Sequence, residues 1–345
     1  MLKIFLILPL LFILNAAKGQ IDPKPIRNLV FEGGGIRGIA YAGALMELEK
    51  HHLLDSIQRM AGTSAGAIAA TLYAIGYSPE EIADLTAEVK IKSFADGRWI
   101  FIGGSRRLIR NFGWYRGEKF TKWMSKLIKD KTGKENITLE ELHQLSLKEN
   151  KFKSLYVTGT NLSLQTSTVL SHETFPEMEV RTAVRISVCI PFYFQAVIID
   201  NKGKVMEHKK DKEKGNVMVD GGILLNYPIH IFDYHKYIFN NQDSTKICNT
   251  ETLGLRLDSD NQISYDNNSQ TLAPYQITKF KHFTGAFYNI VIENLNRQNL
   301  TKEDWLRTVS ISSSGFSPKI KMISSEDKNK LILAGKEGIR RYYKL

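Results

Sequence analysis

The sequence predicts an α/β fold on a mostly parallel central sheet, and two successive stretches predict it. RNLVFE (27–32) is a short apolar strand that runs into the glycine-rich EGGGIRG and then a helix over 39–50. Residues 57–61 repeat the pattern, with GTSAG as the turn and AIAATLYAIG as a small-residue helix ended by Gly76. Much further on, an apolar strand at 217–219 leads into another glycine turn, Asp220-Gly221-Gly222. Strand, glycine turn and helix in succession imply parallel strands with helices packed on the faces of the sheet.

Taken in order, the elements begin with MLKIFLILPLLFILNAAKG, residues 1–19, which read as a secretory signal peptide. Lys3 supplies the positive start, residues 4–14 an apolar run of 11, and Ala17 and Gly19 the small residues before a cut at Gln20. The run is short for a bilayer span. Export is therefore expected (periplasmic, envelope-associated or secreted), with an uncleaved anchor as the alternative. After the two strand–turn–helix units, Ser78-Pro79-Glu80-Glu81 opens a further helix, with Ser78 as N-cap and Glu81 closing a capping box.

Residues 96–135 are basic, aromatic and glycine-rich, with Trp99, Phe101, Phe112, Trp114 and Tyr115 among Arg98, Arg106, Arg107, Arg110 and Arg116. They read either as a membrane-contacting flap or as a loop plus an amphipathic helix, KFTKWMSKLIK, packed on the sheet. Strands follow at 155–160 and 166–170, then a helix over 179–188. Residues 200–216 form a charged, solvated hairpin or loop. A strand at 252–257, a polar loop over 258–274, helical periodicity to 296, a strand at 309–313 and a final helix from Ser325 complete the chain. Neither an internal repeat nor a low-complexity linker divides it, so one compact domain is expected.

Composition narrows the function classes. A chain of 345 residues with 43% hydrophobic and 24% charged residues can bury a real core and is neither disordered nor collagen-like. Two cysteines, Cys189 and Cys248, rule out a disulfide framework, although a single bridge between them stays open. Eight histidines occur without HExxH or CxxC spacing, so no metal site is expected. The formal charge of +11 favours anionic partners. Peripheral contact with an anionic membrane is the expectation, and nucleic acid is not. Oligomeric state is not readable.

The glycines pose the functional question. Gly33-x-Gly35-x-x-Gly38 between strand and helix matches the dinucleotide fingerprint, and Asp55 lies near the distance of its ribose ligand. Gly62-Thr63-Ser64-Ala65-Gly66, however, has the strand-to-helix setting of a nucleophile elbow. A turn that tight crowds the residues two before and two after the serine, hence glycine at both. Ser64 would then stand at a helix N-terminus, where a developing anion is favoured. The N–H groups of Gly34 and Gly35, joined by Gly33 or Ile36, could hold the oxyanion of an acyl transfer. Arg37 could hold that loop or attract a phosphate headgroup. For the base, His230, His235 and His282 are available downstream, and Asp220 in its glycine turn is the rival.

EGGGIRG, GTSAG and DGG in this order resemble the patatin-like phospholipase family. So do the A-x-x-x-S-x-x-x-P-x-x-F block (Ala183, Ser187, Pro191, Phe194) and the Asn226-x-Pro228 that follows DGG. The resemblance covers residues 29–232 and implies a three-layer α/β/α sandwich, with 233–345 packing on the same domain. It implies a Ser64–Asp220 dyad without histidine, acting through an acyl-enzyme on acyl esters of lipids or phospholipids. Gly33, Gly34, Gly35, Gly38 and Ala65 would form the oxyanion hole, supported by Arg37, Gly62, Gly66, Gly221 and Gly222. Neither calcium nor any other cofactor is implied. The excursion at 200–216 and the insert near 100 depart from the family pattern, so headgroup preference does not transfer. A catalytically silent lipid-binding protein and a dinucleotide-binding protein are the alternatives.

Overall fold

The computed structural model describes residues 25–88, 94–96, 102–207, 214–266, 271–316 and 323–345, apart from 281, 284, 285, 287–289, 291–296 and 298. The expected signal peptide, the Arg98–Trp99–Phe101 part of the basic insert, the middle of the charged excursion and most of the helical periodicity before 296 lie outside these residues.

Among the described residues, eight strands form one sheet: β1 (Asn28–Phe31), β2 (Arg59–Gly62), β4 (Ser154–Asn161), β5 (Thr166–Leu170), β7 (Val197–Ile199), β8 (Asn216–Asp220), β9 (Thr252–Asp258) and β10 (Thr308–Ser312). The order is β10-β9-β1-β2-β4-β8-β7, with β5 also paired to β4. Strands β10, β9, β1, β2 and β4 run parallel, whereas β5 and β8 are antiparallel to β4. A two-stranded ribbon, β3 (Gly113–Tyr115) with β6 (Phe192–Phe194), stands apart.

The central parallel strands are buried almost without interruption, because both of their faces are covered. Leu29, Phe31, Met60, Leu155 and Val157 point into the larger core. The alternate residues Val30, Ala61 and Tyr156 point into a second core with Ile229 and Phe232. On the larger side lie α1 (Ala40–Lys50), α2 (Ala65–Ala74) and α3 (Pro79–Glu88), together with α5 (Glu118–Thr132), α6 (Leu139–Lys148), α7 (Val180–Ser187) and the C-terminal helix Ser325–Tyr343. Short turns and helices at Ile229–Phe232, His235–Phe239 and Lys302–Leu306 cover the opposite face. This is the mixed α/β architecture, helices on both sides of a central sheet, that the sequence predicts.

Local signals set the boundaries. The Ser78 N–H donates to Glu81 Oε2 at 2.8 Å and Glu81 N–H returns to Ser78 Oγ at 3.2 Å, the predicted capping box. Thr138 and Glu141 build a second one at the start of α6. The C-terminal helix lies so close on α1 that a Cβ on Gly43 would stand 1.9 Å from the Ile332 carbonyl oxygen. A Cβ on Gly335 would stand equally close to that of Ala40. Two readings need correction. Residues 260–266 of the expected polar loop are helical, and residues 102–111 of the insert form α4 (Ile102–Asn111), which leads straight into β3. Cys189 is buried, Cys248 exposed, and no bridge joins them.

Candidate active site

The elbow follows β2 directly. Ser64 has φ 52° and ψ −118°, a conformation that side chains adopt only when their surroundings impose it. The surroundings are visible at the flanking glycines. A Cβ on Gly62 would lie 2.5 Å from the Gly66 carbonyl carbon, and one on Gly66 2.6 Å from the carbonyl oxygens of Phe31 and Glu32. Only glycine permits β1, β2 and α2 to meet this closely, and the meeting forces Ser64 out of the sheet edge. Its N–H donates to the buried Ser187 Oγ at 2.9 Å.

Asp220 ends β8 and faces Ser64. The Ser64 hydroxyl donates to Asp220 Oδ2 at 2.9 Å, while Oδ1 accepts from the Gly222 N–H at 2.8 Å. The Asp220 N–H donates to the Cys189 carbonyl at 2.9 Å, and Thr160 Oγ1 donates to the Asp220 carbonyl at 2.9 Å. Gly221 sits where a Cβ would strike Thr158 Oγ1 at 2.1 Å. Burial pushes the Asp220 carboxyl up to about 6, against the opposing pull of the bonds from Gly222 and Ser64.

The glycine turn completes the polar end. After β1 it forms a tight helical turn, Gly35–Ile39, whose first internal bond runs from Arg37 N–H to the Gly34 carbonyl at 3.3 Å. The N–H groups of Gly34, Gly35 and Ile36 come before that bond and have no acceptor among the described residues. The same holds for Ala65 at the start of α2. Gly38 backs onto Ala65, leaving 3.0 Å between its would-be Cβ and that of Ala65. Gly33 does not join the donors. Its N–H donates to the Asn226 carbonyl at 3.0 Å, and Asn226 Nδ2 donates back to the Gly33 carbonyl at 3.1 Å. Arg37 takes the holding role. It is buried, with Nε donating to the Gly34 carbonyl at 3.2 Å and Nη1 to that of Leu257 at 3.1 Å.

Gly35, Gly38, Ser64 and Ala65 line one end of a pocket whose walls are apolar: Ile39, Ile68, Phe94, Phe120, Val188 and Phe194. Such a slot, polar only where the hydroxyl and the N–H groups converge, suits an acyl chain with its carbonyl at Ser64.

The alternative bases lie elsewhere. His230 Nε2 is 2.7 Å from Asp304 Oδ2, His235 pairs with Asp243, and His282 Nδ1 is 3.0 Å from Thr278 Oγ1. His230, Asp233 and Asp304 bring ligand atoms within 4.8 Å of one another, but a cation already sits there. Arg307 donates to Asp233 at 2.6 and 2.5 Å and to Asp304 at 2.5 Å. Asp55 fails as a ribose ligand on topology. It precedes β2 on an exposed turn, whereas Gly33–Gly38 follow β1, and the parallel pairing puts these at opposite ends of the sheet.

In the sequence, Ser187 and Asn226 are visible only as motif letters. Their work, holding the elbow N–H and tying the glycine turn to the DGG segment, depends on contacts between distant parts of the chain.

A model of the patatin-like phospholipase family matches residues 29–233. The chain belongs to this family. Among its relatives is an uncharacterized protein of Acanthamoeba polyphaga mimivirus, 30% identical over 220 residues. The match takes in 64% of this chain and 65% of that one, so the chain spans somewhat less than two thirds of this relative's length. Another is the probable lipid hydrolase 463L of Invertebrate iridescent virus 6, 27% identical over 222 residues, 64% of this chain and 68% of the relative. Among solved structures, VipD from Legionella pneumophila superposes with a TM-score of 0.61 at 16% identity, over 93% of this chain and 67% of that one. That likeness is one of fold. Within the patatin-like fold, the glycine turn and the elbow stand at the ends of adjacent strands β1 and β2, and DGG at the end of β8, with β4 between β2 and β8.

Proposed function

We propose that this patatin-like phospholipase family member is a lipid acyl hydrolase working through a Ser64–Asp220 dyad. The observation that carries the reading is the 2.9 Å hydrogen bond from the Ser64 hydroxyl to Asp220, formed at the polar end of an apolar pocket beside glycine N–H groups that have no acceptor among the described residues. Ser64 Oγ attacks the ester carbonyl as Asp220 Oδ2 takes the hydroxyl proton. A carboxyl pushed up to about 6 is still mostly ionised at neutral pH, yet basic enough to accept that proton. The N–H groups of Gly34, Gly35 and Ala65 face the developing oxyanion, and their fixed orientation supplies the stabilisation that water would have to reorganise to give. Protonated Asp220 then gives its proton to the leaving alcohol. Water, deprotonated by the same carboxylate, cleaves the acyl-enzyme and frees the fatty acid. The substrates are acyl esters of lipids or phospholipids, and the chain is exported through segment 1–19.

A fluorophosphonate ester probe tests this directly, because only an activated serine reacts with it. Stoichiometric labelling mapped to Ser64 is expected, together with turnover of a soluble aryl ester that Ser64→Ala lowers by at least a thousandfold. Labelling elsewhere, or a tenth of the turnover surviving in Ser64→Ala, would remove Ser64 from the role.

A further inference from the structure

We propose that the end of α4 and the β3–β6 ribbon form the face by which this chain docks on an anionic lipid bilayer; the inference rests on the hydrolase reading above. The insert divides into an inner and an outer set of side chains. Inside, Arg107 Nε donates to the Trp114 carbonyl at 2.9 Å, and Gly104 lies against the Trp114 ring, 2.4 Å from it to a would-be Cβ. These contacts fix α4 on β3. Outside, Ile109 is 77% exposed and Phe112, one residue past the helix, 42% exposed. Across the ribbon, where Gly113 pairs with Phe192, Phe192 is 75% exposed.

Both phenylalanines stand in the left-handed backbone region, Phe112 at φ 62° and Phe192 at φ 66°. Bulky aromatic residues rarely adopt it, and strain of this kind gathers at binding sites. Phe192 in water recovers almost nothing by burial to offset that strain, so the free protein alone gives it no reason to be there. The same ribbon reaches the catalytic pocket, because Phe194 lines it, as does Ile190 two residues before β6, itself 40% exposed. An acyl chain entering there from a bilayer would never cross water.

Charge favours an anionic surface. Arg106 and Arg110 lie three residues before and one after Ile109 on α4, both exposed, so cations flank the apolar tip on one helix face. An apolar tip with flanking arginines fits the headgroup layer, the aromatics at the acyl boundary and the guanidiniums on phosphates.

The test is co-sedimentation of Ser64→Ala protein with phosphatidylglycerol–phosphatidylcholine vesicles and with phosphatidylcholine alone. Hydrolysis of a soluble aryl ester is followed in parallel in Ser64-intact versions. Ile109→Asp with Phe192→Asp should lower partitioning to both vesicles at least tenfold while soluble-ester turnover stays within twofold. Aspartate accepts the φ of Phe192 more readily than phenylalanine does, so the fold is not at risk. Arg106→Glu with Arg110→Glu should erase the preference for the anionic vesicles. High salt, which shortens the Debye length from about 10 Å to about 3 Å, should erase it in the unmodified face. Vesicle binding that all four substitutions leave unchanged, or a parent protein that hydrolyses the soluble ester but ignores vesicles, would overturn the docking face. Vesicle binding lost in these variants, with no serine hydrolysis in any form, would instead sink the hydrolase reading and leave the face standing.

Discussion

Ser64 is held at φ 52° by its neighbours and not by any preference of serine. Strain of this kind is worth about 1–3 kcal/mol at a single residue. Ser64→Gly is therefore expected to melt above Ser64→Ala, though both are inactive, and differential scanning calorimetry of the two decides it. Equal melting points would mean that the elbow is relaxed. The partner carboxylate makes a separate pH prediction. Its folded value of about 6 stands above the ordinary 3.8, so the native state holds the proton more tightly than the unfolded chain. The group's favourable contribution is complete below pH 3.8, falls away between 3.8 and about 6, and is absent above. At about 1.4 kcal/mol per pH unit, the buried anion costs about 3 kcal/mol at most in neutral solution. Asp220→Asn should thus be inactive yet more stable than the parent at pH 8, with the advantage gone near pH 4, as urea melts at the two pH values would report. In the parent, kcat/KM for a soluble ester should fall with one proton below about pH 6, because the protonated carboxyl can no longer accept from Ser64.

The end of α7 and the residues after it work as one strut. Ser187 accepts from the Ser64 N–H, and two residues later the Cys189 carbonyl accepts from the Asp220 N–H, so a single segment fixes both Ser64 and Asp220. Ser187→Ala would leave the elbow N–H without that acceptor, a loss of about 1–3 kcal/mol. It should lower kcat ten- to a hundredfold with KM little changed, since the pocket walls stay in place. A rise in KM at constant kcat would assign Ser187 to substrate binding instead. Elements of this kind also mark the limit of what the sequence discloses. EGGGIRG, GTSAG and DGG are legible because a tight turn writes its steric needs into adjacent positions. The strut is not, because it joins β2, α7 and β8 through contacts that no local pattern encodes. β3 and β6 escape for the same reason. Each is three residues long, and Gly113 pairs with Phe192 across a stretch of chain that holds α5, α6 and α7. Helix α6, in contrast, carried a readable Thr138-x-x-Glu141 signal that periodicity alone does not bring out.

At the scale of the whole molecule, the segment that matches the family, 29–233, stops short of two strands the sheet needs. TLGLRL is legible as a strand, but its place is not: β9 pairs with β1 and carries β10 on its other side, so β1 is interior only because of residues past 233. The C-terminal helix adds a second tie. It closes on α1 at Gly43 and Gly335, and Arg340 donates to both carboxylate oxygens of the buried Glu47 at 2.8 and 2.9 Å. Removing residues 234–345 would open β1 as an unpaired edge and strip the cover from Leu29 and Phe31. It would also take the Arg340 guanidinium from Glu47, whose carboxyl that bond holds below the usual range. Those losses fall on β1, the strand that carries the glycine turn, and so on the site itself. Residues 29–233 expressed alone are expected to be insoluble or unfolded by circular dichroism. The chain from residue 25 onward should unfold in a single calorimetric transition whose van't Hoff and calorimetric enthalpies agree. A soluble, probe-labelled 29–233 fragment, or two separate transitions, would make the C-terminal part an independent unit and free the catalytic core from it.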